Sequence, residues 1–243
     1  NISQMDEDYL NLDIDPGNKY SVPYMFGTVG LIYNKDVVKE DVDSWDILWD
    51  EKYKNRIFMF DTYRDTLGVA LKKLGYSLNS ENPKEIEEAK ELLLEQRKLV
   101  DPIYGVDNGT TMIPAGESDI NMIWSGEGLN LQDENPNLVY VVPKEGANFW
   151  IDSLCIPSNA KNVSGAEKFI NFIYEPKISA KNYEYIGYND PNEKAMEFHS
   201  EEFRNDPMLK VGMYNIDKGE WLIDIGEALP MYDRYWTELK TAK

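Results

Sequence analysis

Apolar and polar positions along the chain fall into two regimes. Short apolar runs bounded by turn residues predict buried strands at Thr28-Val-Gly-Leu-Ile-Tyr33, Ile57-Phe-Met-Phe60, Ile120-Asn-Met-Ile-Trp124 and Leu138-Val-Tyr-Val-Val142. Tyr20-Ser-Val-Pro-Tyr24 predicts a separate short strand, split from the next by Gly27, and Asp152-Ser-Leu-Cys-Ile156 predicts another, closed by Pro157. Between these runs the spacing becomes helical. Ser44 is positioned to cap a short helix through Trp49, and Asp61 opens a helix that Gly75 stops. Residues 83–100 predict a charged amphipathic helix with Ile86, Ala89, Leu92, Leu93 and Leu99 along one face. Asp107-Asn108-Gly109 caps a short helix ending near Gly116. Further helices cover 164–174 and 177–186, split by Pro176, and a helical tail over 218–240 is broken at Gly226 and Pro230. Residues 1–18 are acidic and turn-rich, with no clear element. The alternation predicts an α/β fold with a largely parallel sheet. The strand and two helices of 152–187 need a sheet partner, which is either the first sheet or a strand upstream of Asn1.

Composition narrows the classes of partner. The 243 residues suffice for two lobes or one large domain, and 42% apolar with 28% charged residues is ordinary for a water-soluble globular chain. No apolar run approaches the ~20 residues of a membrane span. The acidic, polar start lacks a secretory leader, so the chain reads as a mature or trimmed product, or as cytoplasmic. Cys155, the single cysteine, sits in an apolar run and reads as a buried, inert thiol. A net charge of −19, from 44 acidic and 25 basic residues, argues against nucleic acid and anionic membrane as partners. It suits a cationic ligand, although a solvated acidic face that aids solubility explains the charge equally well.

Candidate chemistry gathers where strands end, because open α/β folds bind ligands at the carboxyl ends of their strands. Phe149-Trp150-Ile151-Asp152 places an indole and a carboxylate on one side of an extended chain. An aromatic face beside a fixed negative charge suits an organic cation: the ring takes methylenes and the carboxylate takes the ammonium. Trp124 ends a second apolar run just before Ser125-Gly126; it reads as core, or as a ring at an exposed turn. Asp61 and Asp65 share a helix face, with N-capping as the competing explanation, strongest for Asp61. Tyr188, after Gly187, reads as a cleft phenol or as loop packing. Trp45, Trp49 and Trp236 read as core or helix packing, and Trp221 as either core or site. His199 lies in a polar segment and reads as solvated. No nucleophile–histidine set, metal-ligand spacing or phosphate loop is present, so no enzyme activity, metal or cofactor is expected. Pairs of carboxylates could mimic a glycosidase, but with 44 acids such pairs arise by chance.

Tyr20-Ser-Val-Pro-Tyr-Met-Phe-Gly27, Ser44-Trp-Asp-Ile-Leu-Trp49, Ala70-Leu-Lys-Lys-Leu-Gly-Tyr-Ser77, Met122-Ile-Trp-Ser-Gly126, Pro143-Lys-Glu-Gly146, Phe149-Trp-Ile-Asp-Ser-Leu154, Ile156-Pro-Ser-Asn-Ala160 and Ile186-Gly-Tyr188 together resemble the spermidine/putrescine-binding proteins of bacterial ABC transporters. The resemblance is collinear over the whole chain. It implies a two-lobed, periplasmic-binding-protein-like type II α/β fold whose first lobe is incomplete at its N-terminal side. The implied segments are a linker and crossover strand (1–29), the second lobe (30–148), the returning part of the first lobe (149–204) and C-terminal helices on the second lobe (205–243). The implied function is capture of a polyamine between two lobes and its delivery to permease subunits in the membrane. The implied place is extracytoplasmic: periplasmic, lipid-anchored or fused to the permease. With part of one lobe missing, weak or absent binding is expected of the chain by itself. The ligand positions carried over are Trp124, Trp150, Asp152, Tyr188 and Asp65, with Asp61 a neighbour that can replace an acid where this chain has Thr62. Leu222 and Val106 stand where relatives place polar contacts. A same-fold binding protein for a different solute is the alternative, followed by a carboxylate-pair glycosidase.

Overall fold

In the computed structural model, which describes residues 1–12, 14–205 and 218–242, the fold follows from which apolar runs are covered on both faces. Strand β2 (Ile57–Phe60) is buried at all four positions, as expected of a central strand covered on two sides. It lies between parallel neighbours β3 (Ile103–Gly105) and β4 (Ile120–Trp124), with Phe58 in register with Ile103 on one side and Asn121 on the other. Strand β1 (Ser21–Asn34) runs antiparallel both to β4 and to β5 (Leu138–Val141). The sheet is therefore mixed, not largely parallel. Only strands joined by helical crossovers are driven to be parallel, and β1 enters directly from the N-terminal segment. Nor does Gly27 split two strands: β1 is one 14-residue element, and the glycine keeps the extended backbone. Strand β6 (Asn148–Cys155) pairs in parallel with the two-residue β7 (Glu220–Trp221).

The chain divides into two compact units, one of Asn1–Gly27 with Trp150–Lys210, the other of Thr28–Phe149 with Val211–Lys243. The chain passes from one unit to the other inside β1 and inside β6. The larger unit builds its core from α1 (Tyr63–Lys73), α2 (Pro83–Val100) and a C-terminal helix, Leu229–Thr241. Leu67, Leu71, Ile86, Leu93, Tyr232 and Leu239 interlock there, each 1% exposed or less. The expected tail helix over 218–240 is shorter than that: β7 and a turn of 3-10 helix (Gly226–Ala228) precede it. Pro230 starts the helix instead of breaking it, because a first-turn N–H needs no partner. Residues 206–217, expected to begin the C-terminal helices, lie outside the described residues. A short α3 (Gly109–Met112) follows β3. Helix α4 (Ser125–Glu134) begins directly at the end of β4, so Ser125-Gly126 is a buried helix start and not an exposed turn. Gly128 of α4 and Gly30 of β1 both make room for Tyr140, since a Cβ at either lies 2.5 Å from that side chain.

The smaller unit contains α5 (Val163–Ile173), α6 (Pro176–Ile186) and α7 (Glu201–Asn205). Residues 1–18, read as without structure, hold two 3-10 turns, and Met5 is buried where it bridges Asn192. Cys155 is exposed, not buried. An apolar run shows hydrophobic tendency but not which face of its strand is covered. His199 also departs from expectation. It is 3% exposed, stacked on Phe203 at 4.2 Å, with Nε2 3.1 Å from Asp190 and Nδ1 3.4 Å from Glu184. Its sequence neighbours Glu197, Phe198 and Ser200 are exposed, and they disguised one inward-pointing ring as a solvated face. Burial pushes the Asp190 carboxyl up, while the Asn192 N–H, the Ser179 hydroxyl and the His199 ring pull the other way. His199→Ala would leave that buried acid short of a partner. We expect a loss of at least about 2 kcal/mol in chemical denaturation, and a loss under about 0.5 kcal/mol, typical of surface changes, would contradict the reading.

Candidate ligand-binding site

Parallel pairing brings the carboxyl ends of β2 and β4 side by side in the larger unit. Their last residues, Phe60 and Trp124, stack with ring centroids 4.4 Å apart and planes 28° from parallel. A helix starts at each end, α1 with Thr62 as N-cap and α4 with Trp124 as N-cap. Both helix starts present partial positive charge, which favours carboxylates in the first turn. Asp65 and Glu127 occupy those places. Asp65 is half-buried and held by neutral donors only: the Thr62 hydroxyl donates to Oδ2 at 2.5 Å, and the Asn148 amide donates to Oδ1 at 2.7 Å. No cationic side chain pairs with it among the described residues.

Asp61 is committed differently. It forms an ion pair with Lys240 at 2.8 Å, and the Lys240 ammonium also lies over the rings of Tyr104 (4.8 Å) and Trp236 (5.5 Å). Thr62, where an acid was expected from the resemblance, orients Asp65 with its hydroxyl. Val106 is exposed and Leu222 half-buried. Glu127 was not singled out from the sequence, because Ser125-Gly126 had the look of a turn. The usable signal was an acid three residues past a strand end, at the third position of a helix. Glu127 is half-buried and has no ion-pair partner among the described residues. Burial first, and the nearby Asp107 second, push its carboxyl up.

In the smaller unit, Trp150 meets Tyr188 edge to face, with centroids 5.2 Å apart and planes at 83°. Tyr188 is delivered by Gly187, which ends α6 in the left-handed conformation (φ 74°, ψ 23°) that L side chains resist. Asp152 lies two residues beyond Trp150 in β6, on the same strand face by alternation. It is exposed and makes no hydrogen bond or ion pair among the described residues. Of the six residues singled out from the sequence, Trp124, Asp65 and Asp61 therefore lie in one unit, and Trp150, Asp152 and Tyr188 in the other. Trp49 and Trp236 pack partly buried against the helical core, Trp45 is 1% exposed, and Trp221 lies beside Phe149 at 5.5 Å. Among the described residues no group of three or more His, Cys, Asp or Glu is placed to hold a metal ion. Aromatic rings beside acids with no cationic partner are receptive to an alkylammonium ion.

A family model described as bacterial extracellular solute-binding protein matches residues 1–211. The chain belongs to that family. Within it, the chain is 39% identical to the spermidine/putrescine-binding periplasmic protein of Salmonella typhimurium and to that of Escherichia coli, over 100% of its own length and 70% of theirs. A solved structure of the spermidine/putrescine ABC transporter substrate-binding protein PotD from Streptococcus pneumoniae superposes with a TM-score of 0.85 and 35% identity, covering 98% of this chain and 74% of that one. The fold is thus mixed α/β and periplasmic-binding-protein-like. Its homologues are periplasmic substrate-binding transport proteins, not enzymes. Among the described residues no helix is long and apolar enough to cross a membrane.

The Glu127 carboxyl yields a pH test. A carboxyl raised in the folded state favours the protonated form, so its stabilising effect is fully present below its ordinary value of 4.5 and is lost as pH rises through the raised value. Glu127→Gln is expected to raise the thermal midpoint at pH 7 by about 1–3 °C, with the gain fading below about pH 4. A lowered midpoint at pH 7, or a gain independent of pH, would count against it.

Proposed function

We propose that this protein is the solute-binding component of an ABC importer and that its ligand is a polyamine, spermidine or putrescine. The observation that carries the reading is the provision of acids with no ion-pair partner among the described residues, Asp65 and Asp152, in the same units as the Trp124 and Trp150 rings. In the larger unit Trp124 would offer its ring to methylenes and Asp65 its carboxylate to an ammonium; in the smaller unit Trp150, supported edge to face by Tyr188, and Asp152 would do the same. Asp61, already paired with Lys240, would join only by exchanging that cation for the ligand's. The relatives named as spermidine/putrescine-binding proteins support the same ligand class.

The energetics assign the acids the larger share. A micromolar dissociation constant requires about 8 kcal/mol. Two indole contacts at about 0.5–2 kcal/mol each fall well short, so charge-assisted hydrogen bonds to the carboxylates must supply much of the remainder. The loaded protein would then deliver its ligand to permease subunits in the membrane, outside the cytoplasm. A change in shape on loading requires that the ligand bind one conformation better than another.

Calorimetry on the full-length protein tests the reading. Spermidine and putrescine should release heat with a one-to-one end point. Asp152→Ala should weaken binding by about ten- to a hundredfold, the equivalent of losing one charge-assisted hydrogen bond of about 1.5–3 kcal/mol. Absence of heat with both amines, or an Asp152→Ala variant that binds as tightly as the parent, would refute it.

A further inference from the structure

Asn148 stands out as locally expensive. It opens β6, a place where asparagine is disfavoured relative to β-branched residues. Its Oδ1 is buried and has no hydrogen-bond partner among the described residues, a condition that costs stability. Its backbone pairs with Glu220 of β7, which any residue would do. Among the described residues its side chain makes one hydrogen bond, at 2.7 Å to Asp65, 83 positions away in the chain.

That bond has a specific consequence for the acid. The Thr62 hydroxyl holds Oδ2 from within the same helix turn, and Asn148 holds Oδ1 from a different element. A carboxylate gripped at both oxygens from two directions is fixed in rotation. Both donors are neutral, so neither of them cancels the negative charge. A charged donor in place of Asn148 would orient Asp65 equally well but cancel the charge that a cation needs. A carboxylate fixed before the ligand arrives loses less side-chain entropy on binding.

We infer that Asn148 is a positioning residue for polyamine binding: it orients the Asp65 carboxylate for an alkylammonium group without placing a cation on it. The inference rests on the polyamine reading above and assigns a role to a residue that does not itself need to touch the ligand.

The test is putrescine affinity of the full-length protein carrying Asn148→Val, Asp65→Asn or both, measured by calorimetry at pH 7, with thermal melts alongside. Valine keeps the strand and removes the orphaned oxygen, so the thermal midpoint should hold or rise. Affinity at pH 7 should fall about three- to tenfold, the equivalent of one side-chain hydrogen bond. Asn148→Gln, which keeps a neutral amide donor, should recover part of that loss. In the Asp65→Asn background, Asn148→Val should cause no further loss. An unchanged affinity in Asn148→Val, with Asp65→Asn weakening binding, would overturn the inference and leave the polyamine reading standing. A drop of equal size in the Asp65→Asn background would also overturn it. An Asp65→Asn variant that binds putrescine as the parent does would remove Asp65 from the site, and the inference with it.

Discussion

A carboxylate withdrawn from water must find a partner, and the handling of that constraint organises this acidic molecule. Most of its inward acids are answered locally. Asp119, 6% exposed, receives a two-pronged grip from Arg56, both contacts at 2.8 Å. Glu220 gathers Lys72, Ser77 and the Leu78 N–H, which together outweigh burial and hold its carboxyl below the usual range. Asp190 is enclosed by Ser179, Asn192 and His199. Asp15 and Asp65 are answered by neutral donors on both oxygens with no ion pair among the described residues: Asp15 is held by Ser21 and the N–H groups of Lys19, Tyr20 and Ser21, and Asp65 by Thr62 and Asn148. Of the two, Asp65 lies at the first turn of a helix that follows a sheet strand.

The fold makes this affordable through helix starts. Strands β2 and β4 end together, and each feeds directly into a helix whose first turn holds an acid, Asp65 in α1 and Glu127 in α4. The partial positive charge of the backbone there reduces the penalty of an unpaired carboxylate without neutralising it. The same edge supplies the Phe60–Trp124 stack, so apolar surface and charge share one strand end. In the other unit a single strand, β6, performs a similar combination: alternation puts Trp150 and Asp152 on one face, and the left-handed Gly187 turns Tyr188 onto the indole.

Elements governed by local rules were legible in the sequence. Residues 83–100 formed the helix expected, because Asn82 caps it, Pro83 opens it and its apolar positions repeat at helical spacing. Ile57–Phe60 and Ile120–Trp124 were strands because nothing but a doubly covered strand accounts for runs so short and apolar. What the sequence concealed depends on distant partners. The direction of β1 is decided by β4 and β5, about a hundred residues onward. The burial of His199 is decided by Asp190 and Glu184, not by its exposed neighbours. The exposure of Cys155 depends on which strand face is covered. At the candidate site, residue identity was readable but residue condition was not. Asp61 and Asp65 are near-equivalent in sequence, yet one is tied to Lys240 and the other to neutral donors. Nothing in the neighbourhood of either acid announces Lys240 or Asn148.

On the polyamine reading, charge complementarity to fixed acids, more than apolar burial, selects the ligand. A titration of intrinsic tryptophan fluorescence with putrescine, set beside one with 1,4-butanediol, separates the two contributions, because the molecules share a four-carbon chain and differ in their charged ends. Selection by charge predicts a saturable change with putrescine and none with the diol at the same concentrations. Equal responses to both, or no response to putrescine, would contradict it.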